Sequence, residues 1–343
     1  MDLKQLILDT DCPLVIKNRS KCNLLSWTIE DWTKAVGQDL LEIRCGKTSF
    51  TEEPQWDKTC TIKKVQFKDF FEEKPGEFWY FDYKHLCQWF KDKEDLRQQI
   101  DWSELGFPEL KADDSTIWIG TKGAHTPCHQ DTYGTNMVLQ LYGKKLWLLW
   151  PPGTPDLNPT RFPFEESSIF SKLNFFSPNF QPSNGCFMTI LEPGDVLVVP
   201  HKWWHYVENL EFSISVNAWL PHCRDNFERI KESVATILMK QFYNSDSLIS
   251  INEALNIIQA SKSKKSEKEN RKIIKNDKDA NIVSLQWLNE TEFNEFLKNQ
   301  KNRFKKEEEV TSTGQSKTSL HDLLDAIMSD DVLDLIANKL IKN

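Results

Sequence analysis

Residues 125–152 read HTPCHQDTYGTNMVLQLYGKKLWLLWPP. Along an extended strand, side chains two positions apart share a face, so His129 and Asp131 project together while Cys128 and Gln130 turn the other way. One imidazole and one carboxylate then reach a common ion. Beyond them, Asn136, Val138 and Gln140 share one face of a second strand, Tyr142–Gly143–Lys144 makes a turn, and Lys145, Trp147 and Leu149 share one face of the returning strand. A lysine turned into a barrel needs an anion, because burying an unpaired charge is costly, and the distal carboxylate of a dicarboxylate is a suitable partner. Lys144, one residue earlier, belongs in solvent.

The His-x-Asp spacing is common and gains meaning from a third ligand. Residues 193–209, PGDVLVVPHKWWHYVEN, offer His201 and His205 behind a strand and a proline, with Trp203 and Trp204 able to exclude water. Two imidazoles and one carboxylate on one face of an octahedral ion leave three positions open, as in non-haem Fe(II) oxygenases. A structural zinc site is instead closed, four-coordinate and usually rich in thiolates. In EFSISVNAWL (211–220), Ser213, Ser215, Asn217 and Trp219 lie opposite Phe212, Ile214 and Val216; in a barrel the polar face lines the cavity.

Working outward, STIWIG, NMVLQLYG, KKLWLLWPP, MTILEPG, DVLVVP and EFSISVNAWL place several short strands between Ser115 and Leu220, a pattern that predicts a sandwich or small barrel over residues 115–221. Residues 1–114 are expected to pack on and extend it as an α/β segment: PLVIK and LLEIRCGK read as strands flanking the helix TIEDWTKAVG, and EFWYFDYKHLCQWF supplies aromatic side chains. DNFERIKESVATILMKQFY has one apolar helical face, so residues 222–260 should pack on the barrel or form a contact between two copies of the chain. Residues 261–318 are rich in Lys, Glu and Asn, which predicts a charged flexible linker with a possible short helix. Residues 319–343 predict a tethered helical pair.

The formal charge of -8 disfavours a polyanionic partner, although the basic runs near 261–278 and 298–306 leave a nucleic-acid substrate open. No stretch of 18 apolar residues predicts a membrane span, the N-terminus does not read as a secretion signal, and eight scattered cysteines without a C-x-x-C pair suit a reducing compartment, the cytosol or nucleus.

These residues resemble the JmjC dioxygenases, most closely the hydroxylase branch that includes the asparaginyl hydroxylase of hypoxia-inducible factor. Within it, WIGTKGAHTPCHQDTYGTN, PTRFPFEESSIFSK, VPHKWWHYVE and SLHDLLDAIM are similar to the vertebrate members associated with a small heat-shock protein. The resemblance implies a mainly β fold with flanking helices, a double-stranded β-helix of the jelly-roll or cupin type. It further implies Fe(II) held by His129, Asp131 and His205, and 2-oxoglutarate held at its distal carboxylate by Lys145, Thr126 and Tyr80. Asn136 and Asn217 would border the metal and co-substrate, and Trp219 would close the pocket. The implied activity is hydroxylation of a protein or peptide side chain, the implied partner a small heat-shock protein, and the implied setting a stress response; a JmjC hydroxylase acting on transfer RNA and a binding protein with vestigial catalysis are the alternatives.

Overall fold

The computed structural model of the chain describes residues 2–18, 22–51, 53–175, 177, 180, 182, 184–242, 250–262, 281–301 and 320–342. Two antiparallel sheets face one another. The larger runs β15 (Ile282–Ser284), β1 (Leu14–Ile16), β12 (Val196–Val199), β7 (Thr135–Tyr142), β14 (Ser213–Leu220), β5 (Ser115–Gly120), β4 (Glu77–His85), β2 (Leu40–Lys47) and β3 (Thr61–Gln66). The smaller runs β16 (Gln286–Leu288), β11 (Cys186–Leu191), β8 (Lys145–Trp150), β13 (Trp204–Asn209), β6 (His125–Asp131), β10 (Ser168–Ser171) and β9 (Pro159–Thr160). Consecutive strands alternate between the two sheets through β5 to β8 and β11 to β14, the winding of a double-stranded β-helix.

Alternation decides what each face meets. On β7 and β14, Met137, Leu139, Ile214 and Val216 point outward into a large apolar core covered by the N-terminal helices α1 (Leu3–Asp9) and α2 (Ile29–Val36) and by the single turns α3 (Leu86–Trp89) and α4 (Glu94–Arg97). Val138, Trp147, Leu149 and Val207 point inward between the sheets. The turn between β7 and β8 carries Gly143 at φ +66°, where an added Cβ would lie 2.0 Å from the Phe212 carbonyl oxygen, so only glycine closes this hairpin against β14.

The C-terminal third departs from the linker expected over 261–318. Residues 282–288 form β15 and β16, which pair with β1 and β11 and lengthen both sheets, and α7 (Glu290–Lys301) lays Phe293 and Leu297 against Leu146, Leu148 and Trp150 on the outer face of the smaller sheet. Apolar residues spaced through this charged stretch supply burial that overall composition conceals. The parts of that linker at 263–280 and 302–318 lie outside the described residues. The terminal pair, α8 (Leu320–Ile327) and α9 (Asp330–Lys342), is likewise docked rather than only tethered: Leu324, Met328 and Leu333 pack with Ala235 and Met239 of α5 (Asp225–Phe242), which also packs on α6 (Ile251–Lys262). Ion pairs from Lys172 to Asp322 and Asp325 and from Lys231 to Asp330 and Asp334 reinforce the contact. No described helix is long and apolar enough to cross a membrane.

Candidate active site

His129 and Asp131 stand on β6, and β13 runs beside it in a register that sets His205 directly opposite His129. The two imidazole centroids are 4.1 Å apart, and His129 Nε2 lies 3.6 Å from Asp131 Oδ1. One nitrogen from each histidine and one carboxylate oxygen lie within 4.8 Å of one another, close enough to share an ion. Each ring is oriented from behind: His129 Nδ1 meets the Pro127 carbonyl at 2.9 Å and His205 Nδ1 the Trp203 carbonyl at 3.0 Å. A proton on Nδ1 donates to the carbonyl and leaves Nε2 with its lone pair toward the cavity, the tautomer a metal ligand requires.

His201, the competing candidate, is placed elsewhere. It stacks on His222 with centroids 4.3 Å apart and planes inclined by 15°, beside Asp225. The ligand atoms of these three residues also lie within 4.8 Å of one another, but near-parallel stacking is unfavourable for aiming both in-plane lone pairs at one ion.

A chain of hydrogen bonds fixes Asp131. Its Oδ2 accepts from the Trp219 indole at 2.9 Å and from Asn136 Nδ2 at 3.2 Å; Asn136 Oδ1 accepts from Asn217 Nδ2 at 2.8 Å, and Asn217 Oδ1 from the Trp118 indole at 2.7 Å. Donor follows acceptor without a break, so the network is satisfied and rigid. Burial disfavours the Asp131 charge, but the hydrogen bond from His129, the charges of His205 and His129 and the Trp219 indole together hold its carboxyl well below the usual range. Burial pushes His205 down to about 4, with His129 adding to the effect. For His129, burial opposes protonation, and the Asp131 carboxylate outweighs it, raising the pKa. At neutral pH the carboxylate is therefore charged, His205 is neutral, and a cation at His129 Nε2 would replace the proton that Asp131 favours.

Lys145 enters the same pocket from β8 and is 2% exposed. Its Nζ donates to Ser215 Oγ at 2.8 Å and to the Tyr80 hydroxyl at 3.3 Å, and a side-chain hydrogen bond joins Tyr80 to Thr126. No carboxylate among the described residues lies within ion-pair distance of it. Burial pushes its pKa down to about 7, against the weaker pull of Asp82. Lys144, by contrast, is exposed and pairs with Glu192 at 2.6 Å.

The structure thus brings His129, Asp131, His205, Lys145, Thr126, Tyr80, Asn136, Asn217 and Trp219 to one pocket. Sequence reasoning did not assign roles to Ser215, Trp118 or Trp147, whose ring stacks on His205 at 5.7 Å. Alternation places Ser215 and Trp147 on the correct strand faces; which neighbours those faces meet depends on cross-strand register. The half-buried Asp57 and Glu165 and the exposed Glu166 and Tyr83 at the mouth were also unassigned. They come from a loop, the 3-10 turn Asp57–Thr59 and the bulge of β4 at Tyr83, where side-chain periodicity carries no signal.

A half-buried carboxylate braced between two imidazoles on adjacent strands of a double-stranded β-helix is the arrangement of a cupin of the JmjC class. A family model described as a cupin-like domain matches residues 34–226, more than half of the chain, and the chain belongs to that cupin-like JmjC family. It is 37% identical over 265 residues to human HSPB1-associated protein 1, covering 69% of this chain and 53% of that protein. It is also 38% identical over 255 residues to the HSPB1-associated protein 1 homolog of Danio rerio, covering 68% and 57% respectively. The chain therefore spans about half the length of these curated relatives. A shorter match, 30% identical over 129 residues, covers 36% of this chain and 30% of the 2-oxoglutarate and iron-dependent oxygenase JMJD4 of Gallus gallus.

Proposed function

We propose that this protein is an Fe(II)- and 2-oxoglutarate-dependent oxygenase that hydroxylates a side chain of a protein substrate. The observation that carries the reading is the meeting, in one pocket, of the His129, Asp131 and His205 ligand atoms with a buried ammonium whose polar contacts are hydroxyls. Both halves fit the groups in question: the donor set suits a metal that must keep positions open, and Lys145 suits a dianion. Bound iron and its co-substrate supply the oxidising chemistry. The chain supplies the rest. His129, Asp131 and His205 hold the metal; Trp219 and Asn136 occupy Asp131 Oδ2 and leave Oδ1 facing His129; Lys145, Tyr80, Thr126 and Ser215 receive the distal carboxylate. Trp147, Phe170 and Val207 line the wall and exclude water.

The name of the avian relative supports the iron and co-substrate assignment, and the names of the human and fish relatives support association with a small heat-shock protein and hence a part in stress responses. A protein substrate is favoured over a nucleic acid because Asp57, Glu165 and Glu166 line the outer pocket, where a phosphate backbone would meet carboxylates. The test incubates the protein with Fe(II), 2-oxoglutarate, oxygen and a small heat-shock protein, following succinate release and single-oxygen mass gain on the partner. In parallel, Mn(II) with 2-oxoglutarate should raise the melting temperature by mass action. His129→Ala and Asp131→Ala should each abolish most of that shift; an undiminished shift in the double variant would remove the metal assignment.

A further inference from the structure

Beneath Lys145 lies a second polar side chain without a task. Asn209 ends β13 with 0% of its surface exposed, and neither its Oδ1 nor its Nδ2 has a hydrogen-bond partner. The register pairs Asn209 with Lys145 across β13 and β8, so the two side chains stand next to each other on the same inner face. The opposite sheet closes down on the amide: a Cβ added at Gly120 would come within 2.6 Å of Asn209 Nδ2 and 2.7 Å of Tyr80 Cδ2. Gly120 is therefore the residue that admits the amide between β5 and the ring whose hydroxyl contacts Lys145. The backbone at this point is fully used, with the Asn209 N–H on the Ala124 carbonyl and the Asn209 carbonyl on the Gly123 N–H, so the unpaired side chain is not serving a turn.

Each alternative at this position would behave differently. Leucine has nearly the same shape and would leave no unpaired polar atom, so stability alone favours it. Aspartate would give Lys145 a permanent counter-ion and neutralise the pocket floor. Asparagine does neither: it keeps the floor polar yet uncharged, and it places both a donor and an acceptor beside the ammonium.

From this juxtaposition we infer that Asn209 is a positioning residue for the anionic end of the co-substrate. Its amide orients Lys145 from below through one bridging water, and its neutrality reserves the ammonium for the incoming carboxylate. The inference rests on the co-substrate reading above and deepens it.

The experiment measures calorimetric binding of 2-oxoglutarate to Mn(II)-loaded protein, with Mn(II) binding alone and the melting temperature recorded beside it, for wild type, Asn209→Leu and Asn209→Asp. Asn209→Leu is expected to melt at or above the wild-type temperature while binding 2-oxoglutarate about fivefold more weakly, a divergence that a purely structural role would not produce. Asn209→Asp is expected to weaken 2-oxoglutarate binding by roughly tenfold or more, with Mn(II) binding unchanged in both variants. Wild-type affinity for 2-oxoglutarate in a folded Asn209→Leu protein overturns the inference, whether or not Asn209→Asp folds. If wild type itself binds no 2-oxoglutarate, the co-substrate reading fails first and takes this inference with it.

Discussion

Lys145, at the floor of the pocket, and Lys231, on α5, are 2% and 1% exposed, so each carries a penalty for leaving water. Around Lys231 the protein answers its own charge: Glu228 lies 3.3 Å away one turn earlier, and Asp330 and Asp334 approach from α9. Burial opposes its protonation, yet Glu228 and Asp330 outweigh it and raise its pKa well above that of an ordinary lysine. Around Lys145 there are two hydroxyls, and burial wins. A buried cation matched by internal carboxylates holds elements together; one left with neutral partners marks where a ligand's charge belongs.

The largest effect expected concerns what surrounds Lys231. Deleting residues 281–343 removes Asp330 and Asp334, takes β15 and β16 from the sheet edges, and uncovers Leu146, Leu148 and Trp150. Exposing several large side chains at roughly 1.5 to 3 kcal/mol each competes with the whole stability of a domain, on the order of 5 to 15 kcal/mol. Calorimetry should show the cooperative transition lost or shifted far down. A truncated chain that melts like the full one would mean that the tail only decorates the core.

This region was also the least legible in the sequence. The pocket could be read because alternation over six or more residues fixes a face: His129 with Asp131, Lys145 against Lys144, and Ser215 with Asn217 and Trp219 all follow from a period of two. The strands Ile282–Ser284 and Gln286–Leu288 are too short to show a period and sit in a stretch dominated by charge, so composition outweighed them. The docking of α8 and α9 depends on partners such as Lys172 and Lys202, far away in the chain. Choosing His205 over His201 required the family resemblance, and the structure supplies the physical reason in the cross-strand register with His129.

Within the pocket, Lys145→Ala should weaken 2-oxoglutarate binding by at least about thirtyfold, since removing one partner of a buried charged contact is worth on the order of 2 to 5 kcal/mol. Mn(II) binding should change little, and the apoprotein should lose no stability, because no internal carboxylate is left unmatched. Lys144→Ala is the matched control and should behave as wild type. Equal losses from both substitutions, measured by calorimetric titration, would contradict the division of labour across this hairpin.

Lys231→Ala should show the converse: unchanged 2-oxoglutarate affinity and a loss of stability. The missing ammonium leaves Glu228 buried beside Lys202 alone, while Asp330 and Asp334 are 52% and 38% exposed at their side chains and regain water. Solvent screening at those two carboxylates reduces the expected loss to about 2 kcal/mol, below the range for a fully buried network. Thermal melts of this variant and wild type decide the point. An unchanged melting temperature would show that the tail is held by Leu324, Met328 and Leu333 and that the ion pairs contribute nothing.

The smallest effect expected is a pH dependence that separates the two lysines without any substitution. With its folded pKa lowered to about 7 from an unfolded value of 10.5, Lys145 gives up its proton in the apoprotein while the unfolded chain still holds one. The unfolded state then binds more protons between those limits, so the contribution of Lys145 to stability rises with pH across that window and is flat below it. A dicarboxylate seated on Lys145 reverses the preference by stabilising the ammonium, so binding takes up a proton once the pH exceeds 7. Affinity for 2-oxoglutarate should fall by roughly tenfold from pH 6 to pH 8. Saturating Mn(II) isolates this effect, because Asp131 and His205 have already titrated below that interval and the proton favoured at His129 is displaced by the metal. Calorimetric titrations in buffers of different ionisation enthalpy count the proton directly. Lys145→Ala should abolish the uptake, whereas Lys231, protonated throughout, should contribute none; affinity that stays level from pH 6 to pH 8 would show that Lys145 keeps its proton without a ligand and that its two hydroxyl contacts suffice.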